Sequence, residues 1–161
     1  MHFAGGLPGF PLPERFRFIR VLGTGSSGTV CLVHDSVRRR DVALKWSSGE
    51  GEDLGAEFLA MSLLTPHPAL ARPLDCSHDA GAFWFTMEPA FGTPLRAVMA
   101  RPESRGLLPA VAVKIAEGLE ALHRQRFVHL DLKPENVIVA ESFDRVDLVT
   151  LIDLGLARSH G

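Results

Sequence analysis

The sequence predicts an α+β fold, with an antiparallel sheet carrying one helix, followed by a helical part. Three observations predict it. Short strand-like runs bounded by turn residues fill most of residues 15–87. A single helical pattern, 56–64, interrupts them. The strongest helical pattern, 107–124, comes after them, with Leu108, Val111, Ile115, Leu119 and Leu122 on one stripe.

The elements follow in order. Residues 1–14 are rich in proline and glycine at their start and read as a flexible leader. Residues 15–22 alternate, with Phe16 and Phe18 on one face and Arg15, Arg17 and Arg20 between them, as in a half-exposed strand. Gly23-Thr24-Gly25-Ser26-Ser27-Gly28 follows, and its three glycines let backbone N–H groups approach a phosphate. Residues 29–34 are rich in β-branched residues and too few for a helix, so the glycines sit in a strand–turn–strand hairpin. That context disfavours a dinucleotide-binding unit, where a helix follows. It leaves open an ordinary flexible hairpin. Gly-Lys-Ser/Thr occurs nowhere, which excludes a Walker A loop.

Arg38-Arg39-Arg40 reads as a solvated turn. Val42-Ala43-Leu44-Lys45 is a third strand. A short glycine-rich stretch then predicts a clipped start to the helix at 56–64, which carries Glu57. A strand pair at 70–76 and 82–87 leads to Glu88-Pro89-Ala90, and a short helix spans 95–100. After the 107–124 helix comes Val128-His129-Leu130-Asp131-Leu132-Lys133-Pro134-Glu135-Asn136. Pro134 has no N–H to give and clashes with a preceding helical turn, so this stretch is a loop, a common seat of chemistry. Strands at 137–139 and 146–152 lead to Asp153-Leu154-Gly155.

Bulk properties exclude several classes. The chain has 161 residues, a formal net charge of -2, 46% hydrophobic and 22% charged residues, an ordinary globular composition. No charge excess points to nucleic acid. No apolar run approaches the roughly 20 residues of a membrane span. Cys31 and Cys76 lack neighbours at zinc-ligand spacing and suit a reducing, cytoplasmic setting.

The 128–136 loop resembles the catalytic loop of eukaryotic-type (Hanks-type) serine/threonine protein kinases, His-Arg-Asp-Leu-x-x-x-Asn. The glycine hairpin resembles the family's nucleotide lid, Val42-Ala43-Leu44-Lys45 its phosphate-binding strand, and Asp153-Leu154-Gly155 its Asp-Phe-Gly motif. The resemblance runs from about Phe16 to the end. It implies a kinase-like N-lobe over 15–90 with its hinge, and the beginning of a C-lobe over 91–161.

It also implies the cofactors ATP and Mg2+ and a protein substrate with a Ser/Thr acceptor. Asp131 would orient the hydroxyl and Lys133 would steady the γ-phosphate. Lys45 would hold the α- and β-phosphates and pair with Glu57. Gly23, Thr24, Gly25, Ser26, Ser27 and Gly28 would cover the phosphates. Val30, Ala43 and Ile138 would sandwich the adenine, with Met87 behind it. Glu88 would offer the hinge carbonyl and Ala90 the hinge N–H. Asn136 and Asp153 would hold the metal. Leu130 stands where the family has an arginine that pairs with an activation-loop phosphate, which implies another form of control.

Further C-terminal sequence or a partner is expected to complete the C-lobe. Without it, Val111, Ile115, Leu119 or Leu122 would be partly exposed. Two alternatives remain at this point. One is a kinase-like module that binds nucleotide or a partner without transfer. The other is a small-molecule kinase, which Lys133-Pro134-Glu135-Asn136 disfavours.

Overall fold

The computed structural model describes residues 10–25, 28–47, 52–79, 81–142, 145–154 and 158–159. They belong to two compact units, one of Met1–Phe58 with Pro73–Pro89 and one of Leu59–Arg72 with Ala90–Gly161.

The first unit is built on a five-stranded antiparallel sheet of order β1-β2-β3-β5-β4. Its strands are β1 (Phe16–Gly25), β2 (Gly28–Asp35), β3 (Arg40–Ser47), β4 (Pro73–Asp79) and β5 (Ala82–Met87). β1 runs past the expected end at Leu22, because the glycines themselves pair with β2: Gly23 opposite Val30 and Gly25 opposite Gly28. β4 starts three residues later than the expected strand. Leu70 is engaged elsewhere, in a parallel bridge with Leu151 of the second unit.

Side chains alternate across a strand, so β3 serves two faces. Val42, Leu44 and Trp46 join Phe16, Val33 and Trp84 in a buried cluster on one face. Ala43 and Lys45 point to the other, where α1 (Glu52–Ser62) brings Glu57 and Phe58. A sheet covered on both faces explains why β3 reads as a nearly continuous apolar run.

From Phe10 onward, the stretch expected to be a flexible leader lies on the sheet. Phe10 is 2% exposed and stacks on Trp46 at 4.9 Å between ring centroids. Burying a phenylalanine contributes about 1.5–3 kcal/mol, and Pro11 and Pro13 reduce the chain entropy lost in ordering the segment.

The Arg38-Arg39-Arg40 turn is also more than a solvated one. Asp35 is fully buried and takes two bonds from the Arg15 guanidinium, at 2.8 and 2.6 Å. It also accepts the backbone N–H groups of Val37 and Arg38. The guanidiniums of Arg15 and Arg38 both bond Asp75 of β4, while Arg40 forms a two-point pair with Glu88 at 2.9 and 2.8 Å. The Arg15 guanidinium holds the Asp35 carboxyl far below the usual carboxylate range. A depressed carboxylate stabilises the fold above its unfolded pKa, near 4, and that contribution fades as acid protonates it. The cluster is therefore intact at neutral pH.

The second unit contains α2 (Leu95–Met99) and α3 (Leu108–Arg124). A three-stranded sheet of order β6-β8-β9 and a two-stranded pair of β7 and β10 complete it. Their bounds are β6 (Thr93–Pro94), β7 (Phe127–Val128), β8 (Val137–Ser142), β9 (Arg145–Leu151) and β10 (Arg158–Ser159).

Ile115 and Leu119 of α3 are half-buried, as expected of a stripe left partly open. Val111 and Leu122 are instead buried, at 1% and 0%. The reason lies in this unit's own packing. At Gly118 a Cβ would come within 3.1 Å of Leu151 and 3.2 Å of Ala69, so helix and strand approach closely there. Ala69 and Ala71 exchange backbone hydrogen bonds with Leu151, fixing that contact. Gly92 enters β6 at φ 143, and a Cβ there would lie 2.4 Å from the Val139 carbonyl oxygen. Only glycine lets β6 pair with β8 at that point.

Candidate active site

In the first unit, sheet register gathers the sequence-predicted residues. Val30 lies opposite Lys45, and Ala43 lies opposite Met87. Gly23 lies opposite Val30. Ser26 and Ser27 lie outside the described residues, while Thr24 pairs with Thr29 at the neck of the hairpin. Gly28 takes φ 124, and a Cβ there would meet the Trp46 carbonyl oxygen at 2.4 Å. The last glycine of the hairpin is thus required by contact as well as by backbone conformation.

The Lys45 ammonium lies 2.6 Å from the Glu57 carboxylate, and both side chains are 3% exposed. The helix starts at Glu52, earlier than the clipped start the glycines suggested, so Glu57 falls within its second turn. Desolvating two charges is costly unless they meet in good geometry, and this pair does. Glu88 is held through its carboxylate by Arg40.

In the second unit the loop after β7 gathers three polar side chains, Asp131, Lys133 and Asn136. Pro134 opens a single 3-10 turn, Pro134–Asn136, where a missing N–H costs nothing. The turn brings Asn136 back onto Asp131. Its amide donates to the Asp131 backbone carbonyl at 2.9 Å and to the carboxylate at 3.2 Å. With both amide hydrogens so directed, Oδ1 is the side-chain atom able to ligate a cation. The Lys133 ammonium donates to the Asp131 carboxylate at 2.5 Å and holds that carboxyl below the usual range. Asp131 is accordingly ionised at neutral pH.

Arg96 of α2 pairs with Glu135. Both are exposed, so solvent screens the pair and it adds little to stability. Ile138, in β8, is half-buried opposite Thr150 and Pro94. Ala90 is half-buried in the connection before β6.

Sequence reasoning assigned no role to His129, yet it ties this loop to Asp153. Its ring is 6% exposed, and Nε2–H donates to the Ile152 carbonyl at 3.1 Å. A carbonyl only accepts, so the proton sits on Nε2. Burial lowers the imidazole pKa, which keeps the ring neutral. Ile152 also donates its N–H to the Asn136 carbonyl at 3.0 Å. Leu154, on the other side of Asp153, is fully buried. Asp153 itself stands at φ 61, an uncommon conformation for a side chain other than glycine, costing about 1–3 kcal/mol. Anchors before and after it over-determine that backbone. The signal in the sequence was the histidine two residues before Asp131.

Among the described residues, no three His, Cys, Asp or Glu side chains gather as a metal cage. The two residues expected to hold the metal, Asn136 and Asp153, carry an amide oxygen and a carboxylate, both oxygen donors. That fits magnesium, which takes one or two protein oxygens and completes its shell with phosphate and water. Among the described residues no helix is long and apolar enough to cross a membrane.

Comparison with known proteins agrees with this arrangement. Residues 16–161 match the protein kinase domain family. The chain is 34% identical to a serine/threonine-protein kinase, pkn2, of Myxococcus xanthus, over 91% of the chain and 18% of that protein. It is 32% identical to the serine/threonine-protein kinase PknD of Mycobacterium tuberculosis, over 89% of the chain and 22% of that protein. It is 30% identical to calcium-dependent protein kinase 9 of Oryza sativa subsp. japonica, over 93% and 28%. The chain therefore spans between 18% and 28% of the length of these relatives. With a sheet-and-one-helix unit followed by a helical unit, it belongs to the Hanks-type protein kinase domain family and carries the N-lobe and the first part of the C-lobe.

Proposed function

We propose that the chain transfers the γ-phosphoryl group of MgATP to a serine or threonine hydroxyl of a protein. The observation that carries this reading is the cluster of Asp131, Lys133 and Asn136, three side chains of the required types joined by hydrogen bonds on one turn. The buried Lys45–Glu57 pair supports it.

Phosphoryl transfer passes through a loose transition state, so the protein contributes position and charge. Asp131, ionised, accepts a hydrogen bond from the acceptor hydroxyl and takes its proton as the oxygen attacks the γ-phosphorus. The bond from that phosphorus to the β–γ bridging oxygen breaks, and ADP leaves. Lys133, now bridged to Asp131, offers its ammonium to the γ-phosphate oxygens. Lys45, held by Glu57, binds the α- and β-phosphates. Backbone N–H groups of the glycine hairpin, Gly23 to Gly28 with Thr24, Ser26 and Ser27, cover the phosphates. In the first unit Val30, Ala43 and Met87 are assigned to the adenine and the Glu88 carbonyl to its edge; in the second unit Ile138 and the Ala90 N–H carry the corresponding assignments. Asn136 and Asp153 supply oxygens for magnesium, which would neutralise charge on the phosphates.

Lys133 two residues after the acid favours serine and threonine over tyrosine. Leu130 is 57% exposed and uncharged, so it offers no partner to a phosphate on the segment after Asp153. Control of this kinase therefore runs through something other than that charge pair. Two free cysteines, Cys31 and Cys76, support a cytoplasmic setting.

The test is transfer from γ-labelled ATP to a generic basic protein, followed by phosphoamino-acid analysis. Label in phosphoserine or phosphothreonine is the expected result. Label confined to phosphotyrosine would overturn the acceptor class, and no label from full-length protein would overturn transfer itself.

A further inference from the structure

We propose that Phe10 is a positioning residue for the nucleotide site, acting through Trp46 from the opposite face of the sheet. The proposal rests on the MgATP reading above.

Three observations meet at Trp46. Its indole is 7% exposed and lies nearly parallel to the Phe10 ring, at 4.9 Å and 14°. Its carbonyl oxygen would sit 2.4 Å from a Cβ on Gly28, so the end of the glycine hairpin rests directly on the Trp46 peptide. Its neighbour in β3 is Lys45, which faces the other way and meets Glu57 at 2.6 Å. One residue thus touches the N-terminal segment by its side chain, the phosphate-covering hairpin by its backbone, and the phosphate-binding lysine by a peptide bond.

Trp46 is the penultimate residue of β3, opposite Thr29 and Trp84. The ladder with β2 ends at Trp46 while that with β5 continues to Ser47, and neither restrains the peptide perpendicular to the sheet. The stack on Phe10 supplies a restraint perpendicular to the sheet. Removing the ring frees the indole to turn and the peptide to tilt. Tilting moves the Gly28 contact and the Lys45 ammonium together. A core residue without this link would lower stability and leave nucleotide affinity alone.

The experiment compares Phe10→Ala with Phe16→Leu in the full chain. Phe16 belongs to the same buried cluster, but its ring partner is Trp84, at 5.2 Å, and not Trp46. MgATP affinity is measured by calorimetry at a temperature where circular dichroism shows each variant folded, and thermal midpoints are recorded in parallel. The expected result is a lowered midpoint in both variants, with Kd raised roughly three- to tenfold in Phe10→Ala alone. Phe10→Leu keeps the buried bulk without a flat ring, and it replaces Phe10→Ala if that variant does not fold; the same direction is expected. Unchanged Kd in the Phe10 variant, or equal weakening in Phe16→Leu, would overturn the proposal. Failure of the unaltered chain to bind MgATP would instead overturn the functional reading, and this proposal with it.

Discussion

Asp131→Asn is expected to lower phosphate transfer by about 10²–10⁴-fold while leaving MgATP affinity nearly unchanged. Asparagine is the same size and keeps an oxygen to accept from Asn136 and Lys133, so the turn retains its shape. What it loses is charge. The amide oxygen takes a proton from an attacking hydroxyl far less readily, and it no longer balances the Lys133 ammonium 2.5 Å away. The measurement is initial rate of labelled phosphate transfer beside a nucleotide titration on the same preparation. Equal loss of both would mean that the substitution disrupts the loop and that Asp131 has no separate part in the chemistry.

Lys45→Met should reduce transfer by about 10²-fold or more and also destabilise the first unit. The Glu57 carboxylate is 3% exposed, and losing its lysine leaves a buried charge without that partner. Breaking such a pair costs about 3–5 kcal/mol. Replacing both residues, Lys45→Met with Glu57→Leu, should recover most of the thermal stability and none of the transfer, because an apolar pair fills the volume but holds no phosphate. Chemical denaturation of the single and double variants separates the two effects. Transfer at the unaltered rate in Lys45→Met would remove that lysine from the site.

The parts of this protein legible in its sequence are those where chemistry fixes residue type and spacing. The loop from His129 to Asn136 could be read because proline, acid, lysine and amide at those offsets have few other uses. α3 could be read from its stripe, and the glycine hairpin from the β-branched residues after it. Less legible were contacts made across distance in the chain. Arg38 looked like part of a solvated basic turn, since nothing local shows that Asp75 lies opposite. Phe10 looked like leader, because the aromatic slot it fills comes from β3, thirty-six residues on. The Lys45–Glu57 contact depended on where α1 begins, and glycine-rich lead-in sequence carries little information about that. Val111 and Leu122 looked exposed in prospect only while the approach permitted by Gly118 was unknown.

The central claim is that these residues build a magnesium-dependent ATP site. The most direct measurement is a thermal-shift titration of the protein with ATP, with and without magnesium, alongside Asp153→Ala. At ten times its dissociation constant, a ligand adds about 1.4 kcal/mol of stability. The account predicts an upward shift that requires magnesium and is lost in Asp153→Ala. A shift of the same size without magnesium, or one that survives in Asp153→Ala, would contradict it.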